Sequence, residues 1–275
     1  MSGRSDLTRL RTLLLATDLG PDSAPALAHA RLLAGHFDAR LVLYHAVPVP
    51  EHRFAHWAFA HGHEVWVSAE HHARAELQRQ AEGIACEHEL VVERRSSALD
   101  GILEAIRLRR PDLVVLGTHG REGLGHLLLG SVAEAVMNEA NRVPLLCVPS
   151  RATCPTGSYQ RVLVPTDFSA VSRRAFPVAA FLARAFEAEV IAFHVVARSR
   201  SLLSPLPQDL GREAEESLRA FAHEDLGALR LSVAVRTGHV WERIAHAASA
   251  LKDGLVVMST SGEDSFKDHI LGSNT

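Results

Sequence analysis

An apolar run that delivers a spaced set of glycines occurs twice in this chain. Asp112-Leu-Val-Val-Leu116 leads into Gly117-Thr-His-Gly120, then nine residues, then Gly130-Ser131. Gly254-Leu-Val-Val-Met258 leads into Ser259-Thr-Ser-Gly262, nine residues, then Gly272-Ser273. A frame kept at this spacing in two places requires two like units, because each copy needs its own strand to carry the glycines to the same point. The 275 residues leave room for two domains that each bury a core.

The repeat extends beyond the glycines. Leu13-Leu-Leu-Ala-Thr-Asp18 and Val162-Leu-Val-Pro-Thr-Asp167 are short apolar runs ending in Thr-Asp, each followed by a helical pattern. Arg40-Leu-Val-Leu-Tyr-His-Ala-Val47 and Glu189-Val-Ile-Ala-Phe-His-Val-Val196 place His45 and His194 at the same offset, 149 positions, that relates Asp18 to Asp167. The offset falls to 142 between Gly120 and Gly262, so the second copy is shorter after its second strand.

In the first copy this reading predicts a helix capped by Ser23 and running to about residue 35. A histidine-rich loop carrying His52, His56, His61 and His63 follows, then a helix over 64–81, a strand over 87–92 and a helix over 98–109 stopped by Pro111. A fourth strand over 112–116, a last helix from Ser131 and a fifth strand over 144–148 complete it. The second copy repeats the order with a helix capped by Ser169 or Ser172, a helix over 208–226, a strand over 231–235, a helix over 239–250 and a strand over 255–258. Strands that are apolar throughout, alternating with helices, predict parallel sheets covered on both faces. Residues 1–150 and 160–275 form the two expected domains, joined by the turn-rich segment 151–159.

Composition narrows the partners. A formal net charge of −3 provides no basic field for a nucleic-acid backbone. No apolar run approaches the ~20 residues of a membrane span, and the first residues show no leader pattern. Cys86, Cys147 and Cys154 make an odd set without a CxxC pair, which reads as reduced thiols in a cytoplasmic protein, with Cys147 in the core. The histidines match no metal-ligand spacing, so no metal site is expected.

Glycine lets backbone N–H groups approach an anion without an intervening side chain, and a helix N-terminus offers unpaired N–H groups and a positive dipole end. Gly117, Gly120, Gly130 and Ser131 therefore read as a phosphate cradle. Residues 125–131 have the outline GxxxxG[ST] but lack the lysine of the nucleotide-triphosphatase loop, which favours holding a nucleotide over hydrolysing it. Asp18, at the switch point of a doubly wound sheet, either faces the ligand or turns the chain. Ser131, His119 and Asp18 lack the GxSxG setting of a catalytic serine, so no catalytic residue is assigned.

These motifs resemble the universal stress protein family: a first strand ending in Asp, a second ending in His plus a small apolar residue, and G-x2-G-x9-G-[ST] after the fourth strand. The resemblance covers nearly the whole chain, twice. It implies two α/β domains with doubly wound parallel sheets of strand order 3-2-1-4-5, and ATP, with or without magnesium, in the crevice between strands one and four. On that pattern Asp18 and the backbone at Ala46 meet the adenine, while Gly117, Gly120, Gly130 and Ser131 hold ribose and phosphates. Asp167, Val195, Gly262, Gly272 and Ser273 match in the second copy, and Ser259 replaces its first glycine. The second domain is expected to lack the last helix and strand and to leave its cleft without nucleotide. The fifth strand of the first domain is expected at a homodimer contact. The function implied is a cytoplasmic stress-response binding module, with a slow ATPase or a nucleotide-free interaction protein as alternatives.

Overall fold

The computed structural model describes residues 9–49, 55–118, 130–140, 143–197 and 208–259. The chain divides into two compact units, the changeover falling between Cys154 and Pro155.

In the first unit the order is β1 (Thr12–Ala16), α1 (Ala24–Phe37), β2 (Arg40–Pro48), α2 (Ala55–Ala81), β3 (His88–Arg95), α3 (Ala98–Arg109), β4 (Leu113–Thr118), α4 (Ser131–Glu139) and β5 (Leu145–Pro149). The five strands pair in the order β3-β2-β1-β4-β5, every pair parallel. Leu13, Leu14 and Leu15 of the central strand are fully buried, which is why its sequence is apolar at successive positions rather than at alternate ones. At its start the Asp112 carboxylate accepts from the backbone N–H groups of Arg11 (2.7 Å) and Thr12 (3.0 Å). That clamp fixes β1 against β4 in a register that brings Ala16 level with both Tyr44 and Leu116.

The second unit runs β6 (Arg161–Pro165), α5 (Ala175–Phe186), β7 (Glu189–Ala197), α6 (Gln208–Leu226), β8 (Leu231–Gly238), α7 (Val240–Ser249) and β9 (Gly254–Val256). Its four described strands pair in parallel as β8-β7-β6-β9, the order of the first sheet without a fifth strand. The repeat reaches the helix ends. Asp38 after α1 and Glu187 after α5 both close their helices in the left-handed region, with φ of 49° and 53°.

Three expectations change. His56, His61 and His63, read as loop, lie in α2, which begins at Ala55; between Pro50 and Pro111 no proline interrupts the chain, and Ala55, Ala58 and Ala60 are strong helix formers. His52 lies outside the described residues. β3 continues past Val92 through Glu93, Arg94 and Arg95 because Glu93 pairs with Arg95 (2.6 Å) and Arg94 with Glu70 (2.8 Å), while the backbone stays in register with β2. Cys147 is half-buried rather than core, since β5 lies at the edge of the sheet, and burial still pushes its thiol up to about 11. None of the three cysteines forms a disulfide. At the end of the turn-rich segment Tyr159 is fully buried, its ring meeting Phe186 edge-on at 5.1 Å.

Helix α3 is set close to the sheet by Gly101. Ser97 caps it by accepting from Asp100 N–H (3.1 Å), and Arg110 ends it in the left-handed region just before Pro111. A Cβ on Gly101 would press on the Tyr44 hydroxyl and stand 2.9 Å from Arg95 Cγ and 3.1 Å from Ala46 Cβ. Gly35, exposed in α1, has nothing within 4 Å of the same position. Gly101→Ala is therefore expected to destabilise the protein by about 1–3 kcal/mol through overpacking, whereas Gly35→Ala stabilises it by about 0.5–1 kcal/mol through helix propensity. Urea unfolding of the two variants checks the opposite signs.

Candidate functional site

At the C-terminal end of β1 the backbone continues the sheet for one more residue, Thr17 N–H donating to Tyr44 C=O (3.0 Å). The chain then turns through Leu19 at φ 66°. The Thr17 hydroxyl organises this turn. Its oxygen accepts from Leu19 N–H (3.0 Å) and lies 3.0 Å from Ser23 Oγ. Ser23 Oγ–H donates to Gly20 C=O (2.7 Å), so its only proton is used there and the Thr17 hydroxyl supplies the proton between the two side chains. His45 Nδ1–H donates to Thr17 C=O (2.8 Å), which ties the second strand to the same residue.

The second unit repeats each bond. Phe168 N–H donates to Thr166 Oγ1 (3.0 Å), Thr166 and Ser172 hydroxyls lie 2.8 Å apart, Ser172 donates to Ser169 C=O (3.0 Å), and His194 Nδ1–H donates to Thr166 C=O (2.8 Å). Phe168, like Leu19, has φ 66°. The serines expected as helix caps do other work. Ser23 occupies the N-cap of α1 without a side-chain capping bond, and α5 starts from Arg174 rather than from either serine. The hydroxyls of Ser23 and Ser172 are drawn to the threonine, a partner six residues away that a local capping pattern does not reveal, while Ser169 Oγ accepts from Ser172 N–H (3.0 Å) as a cap would, at the short turn before α5.

Beside this turn lies a cleft of 320 Å³ at the C-terminal ends of β1, β2 and β4. Five of the residues singled out from sequence line it: Asp18, Ala46, Gly117, Gly130 and Ser131. Gly120 lies outside the described residues. Asp18 closes the turn, its Oδ1 accepting from Gly20 N–H (3.0 Å), and the residue also forms part of the cleft wall. Gly117 lies within β4, opposite Val148, rather than in a turn beyond it. Its missing side chain leaves room beside Ser23, whose Cα would be 3.6 Å from an added Cβ. Gly130 is the N-cap of α4 with an extended backbone and no side-chain capping bond, so the first-turn N–H groups of α4 have no acceptor within the helix.

The floor of the cleft is apolar, with Ala16, Leu116, Ala98 and Ile102, and its exposed polar residues are Asp18, Asp22 and Ser131. Among the described lining residues there is no lysine or arginine. Such a site suits a ligand with a flat apolar body and an anionic end placed at α4. Among the described residues no three His, Cys, Asp or Glu side chains gather to hold a metal ion, and no described helix is long and apolar enough to cross a membrane.

In the second unit Asp167 occupies the place of Asp18 and accepts from Ser169 N–H (2.9 Å). Val195, the counterpart of Ala46, is buried in β7. Ser259 follows β9 half-buried, and Gly262, Gly272 and Ser273 lie outside the described residues.

The model of the universal stress protein family matches residues 9–149 and, a second time, residues 158–275. Universal stress protein A homolog 2 of Coxiella burnetii is 34% identical over 137 residues, which cover 47% of this chain and 89% of that protein. A universal stress protein of Thermus aquaticus is 32% identical over 131 residues, 47% of this chain and 93% of its own length. Among solved structures, a universal stress protein from Archaeoglobus fulgidus superposes with a TM-score of 0.56 at 19% identity, over 86% of this chain and 82% of that one. A putative universal stress protein from Pseudomonas aeruginosa gives the same TM-score at 15% identity, over 91% and 83%. These structural likenesses concern the fold.

The Asp167 environment makes a pH prediction. Burial alone would raise its carboxyl, but hydrogen bonds from the Ser169 hydroxyl and from Ser169 N–H outweigh that and bring it down to about 2. A carboxyl held below its unfolded value of ~3.9 adds stability that is complete above that value and is lost as the pH falls towards about 2. NMR titration is expected to place Asp167 near 2 in the intact protein, and Ser169→Ala to raise it and shift acid unfolding of the second unit to higher pH.

Proposed function

Since the chain belongs to the universal stress protein family, with one match in each half, we propose that its first domain binds ATP, with or without magnesium, and that the protein acts as a cytoplasmic binding and regulatory module in stress response. The observation that carries this reading is the cleft of 320 Å³ where Asp18, Ala46, Gly117, Gly130 and Ser131 meet at the end of the sheet. Its apolar floor suits the face of the adenine, with Asp18 and the backbone at Ala46 at the base. The bare backbone of Gly117 admits the ribose and phosphates, and the first turn of α4 with Ser131 supplies donors to the phosphate oxygens. No lysine stands in the GxxxxG[ST] frame to draw charge from the outer phosphates, which supports retention of the nucleotide over turnover.

The same reading assigns a homodimer contact to β5, an edge strand of the first sheet whose Leu145, Leu146 and Cys147 are only half-buried. In the second domain the Asp167 turn is retained as a brace, and we assign no nucleotide to it.

Gly117→Val tests the cleft. An added Cβ would make an ordinary contact with Ser23, the branched methyls add bulk beside the ligand, and an unchanged melting temperature checks that the variant keeps its fold. Calorimetric titration of nucleotide-free protein is expected to give saturable ATP binding that weakens at least about tenfold in the variant, a loss of ~1.4 kcal/mol. Neither protein is expected to release phosphate. Absence of ATP binding by the intact protein overturns the reading, and phosphate release abolished by Gly117→Val would identify an ATPase.

A further inference from the structure

We infer that Tyr44 is a positioning residue for the base end of the first-domain cleft, its hydroxyl setting how closely α3 lies over Ala46. This rests on the nucleotide reading above and concerns the same site. Tyr44 and Ala46 of β2 and Ala98 and Ile102 of α3 all line the cleft, so the gap between strand and helix is one of its dimensions. Tyr44 is joined to both sides of that gap. Its carbonyl receives Thr17 N–H (3.0 Å) from the turn that carries Asp18, and its side chain is fully buried in the apolar layer beneath α3.

The notch at Gly101 fixes the gap. A Cβ there would press on the Tyr44 hydroxyl and stand 3.1 Å from Ala46 Cβ, so the hydroxyl fills space that a side chain would otherwise hold. The hydroxyl lies 3.4 Å from Glu93 Oε2, and the same oxygen accepts from Arg95 (2.6 Å). The other carboxylate oxygen of Glu93 stands 3.6 Å from Arg109, in the last turn of α3. Glu93 thus ties the hydroxyl beneath the first turn of α3 to a cation in its last. Burial pushes the Tyr44 hydroxyl up from its ordinary value, so at neutral pH it keeps the proton that it directs to Glu93.

A network of this kind can serve packing alone, and the second unit shows what packing requires. Strand register puts Phe193 in the place of Tyr44, Arg236 in that of Glu93 and Gly238 in that of Arg95. Counting from the N-caps Ser97 and His239 puts Arg243 in the place of Gly101, followed by Ile102 and Ile244, both buried. Arginine and glycine have exchanged places. In the first unit the strand brings the arginine and the helix the glycine. In the second, Arg243 of the helix donates its Nε–H to Thr237 C=O (2.9 Å), and a Cβ on Gly238 would stand 2.9 Å from that nitrogen. Each unit therefore closes the end of its outer strand against the helix with one arginine, and the second does so with neither hydroxyl nor carboxylate beneath it. Those two groups belong to what the first unit adds, and the hydroxyl bears on the helix that walls its cleft.

The test measures dissociation constants of nucleotide-free full-length protein for adenosine and for ATP in excess magnesium, in the intact chain and in Tyr44→Phe, with the melting temperature of each. Phenylalanine stands at this place in the second unit, so the ring is expected to pack. Tyr44→Phe is expected to weaken adenosine and ATP by the same factor, on the order of fivefold, about what one hydrogen bond contributes. Glu93→Ala lies outside the cleft lining and releases the hydroxyl while keeping the ring, so it carries the same expectation should Tyr44→Phe fail to fold. A role confined to packing would lower the melting temperature and leave both dissociation constants, measured well below it, within about twofold of the intact chain, and that result overturns the inference. So does a loss for ATP alone, which would place the effect at the phosphates. If the intact chain binds neither ligand, the nucleotide reading fails with it.

Discussion

The Thr17 hydroxyl holds the end of β1, the turn after it and the first turn before α1 in one arrangement, and the cleft is positioned by that arrangement. Leu19 must enter the left-handed region for the chain to turn there, at a cost of about 1–2 kcal/mol for a residue with a Cβ. Four hydrogen bonds converge to offset it: Leu19 N–H to Thr17, Thr17 to Ser23, Ser23 to Gly20 C=O, and His45 to Thr17 C=O. At about 0.5–1.5 kcal/mol each they outweigh the strain. Because one of them comes from β2, the turn is fixed to the neighbouring strand as well as to its own. Asp18 then stands in the lining of the cleft together with Gly117 of β4.

Much of this was legible in the sequence, because the relevant signals are local. The strands are buried on both faces and so are written as apolar runs, and Thr-Asp at the same place in both copies marks where the first strand stops. The convergence of Asp18, Ala46, Gly117, Gly130 and Ser131 follows from strand order, since adjacent parallel strands bring their C-terminal ends together. What escaped was decided by partners that local patterns do not reveal. Glu93 and Arg95 look like a loop until β2 is placed beside them and the charges pair along the strand. Tyr159 has turn-forming neighbours, yet it is buried against Phe186. Ser23 matches a helix cap in every local respect, and the threonine that takes its hydroxyl precedes it by six residues.

The two apolar layers show how much the coverage of a sheet matters. In the first unit Leu14, Val114 and Leu116 pack with Ile102 and Ala105 of α3 and with Ala133 and Val136 of α4, all buried. In the second, Leu163, Phe193 and Val195 are buried with Ile244 of α7, while Ile191, Val256 and Met258 are only partly covered. The first unit therefore has two helices converging over the sheet beside its cleft, which gives that cleft walls as well as a floor. The second has one described helix in the corresponding layer.

Duplication within a single chain separates what the fold requires from what a site adds. The threonine, the serine six residues later, the histidine and the left-handed residue are present in both halves, with nearly the same distances. Such features must serve the turn itself, whatever either cleft holds. The positions that differ lie around this network: Gly20 against Ser169, Asp22 against Val171, and Gly117 against Ser259. At the first of these the serine hydroxyl accepts from Ser172 N–H (3.0 Å) and tightens the second turn, whereas the glycine leaves the first more open. At the last, a side chain stands in the second copy where the first has bare backbone facing its cleft. Two of these differences leave the first turn and cleft less encumbered and the third adds a carboxylate, while the shared network keeps both sheets ending in the same way. The residues around the turn thus differ between the halves, whereas the turn itself has hydrogen bonds that leave it little freedom to change.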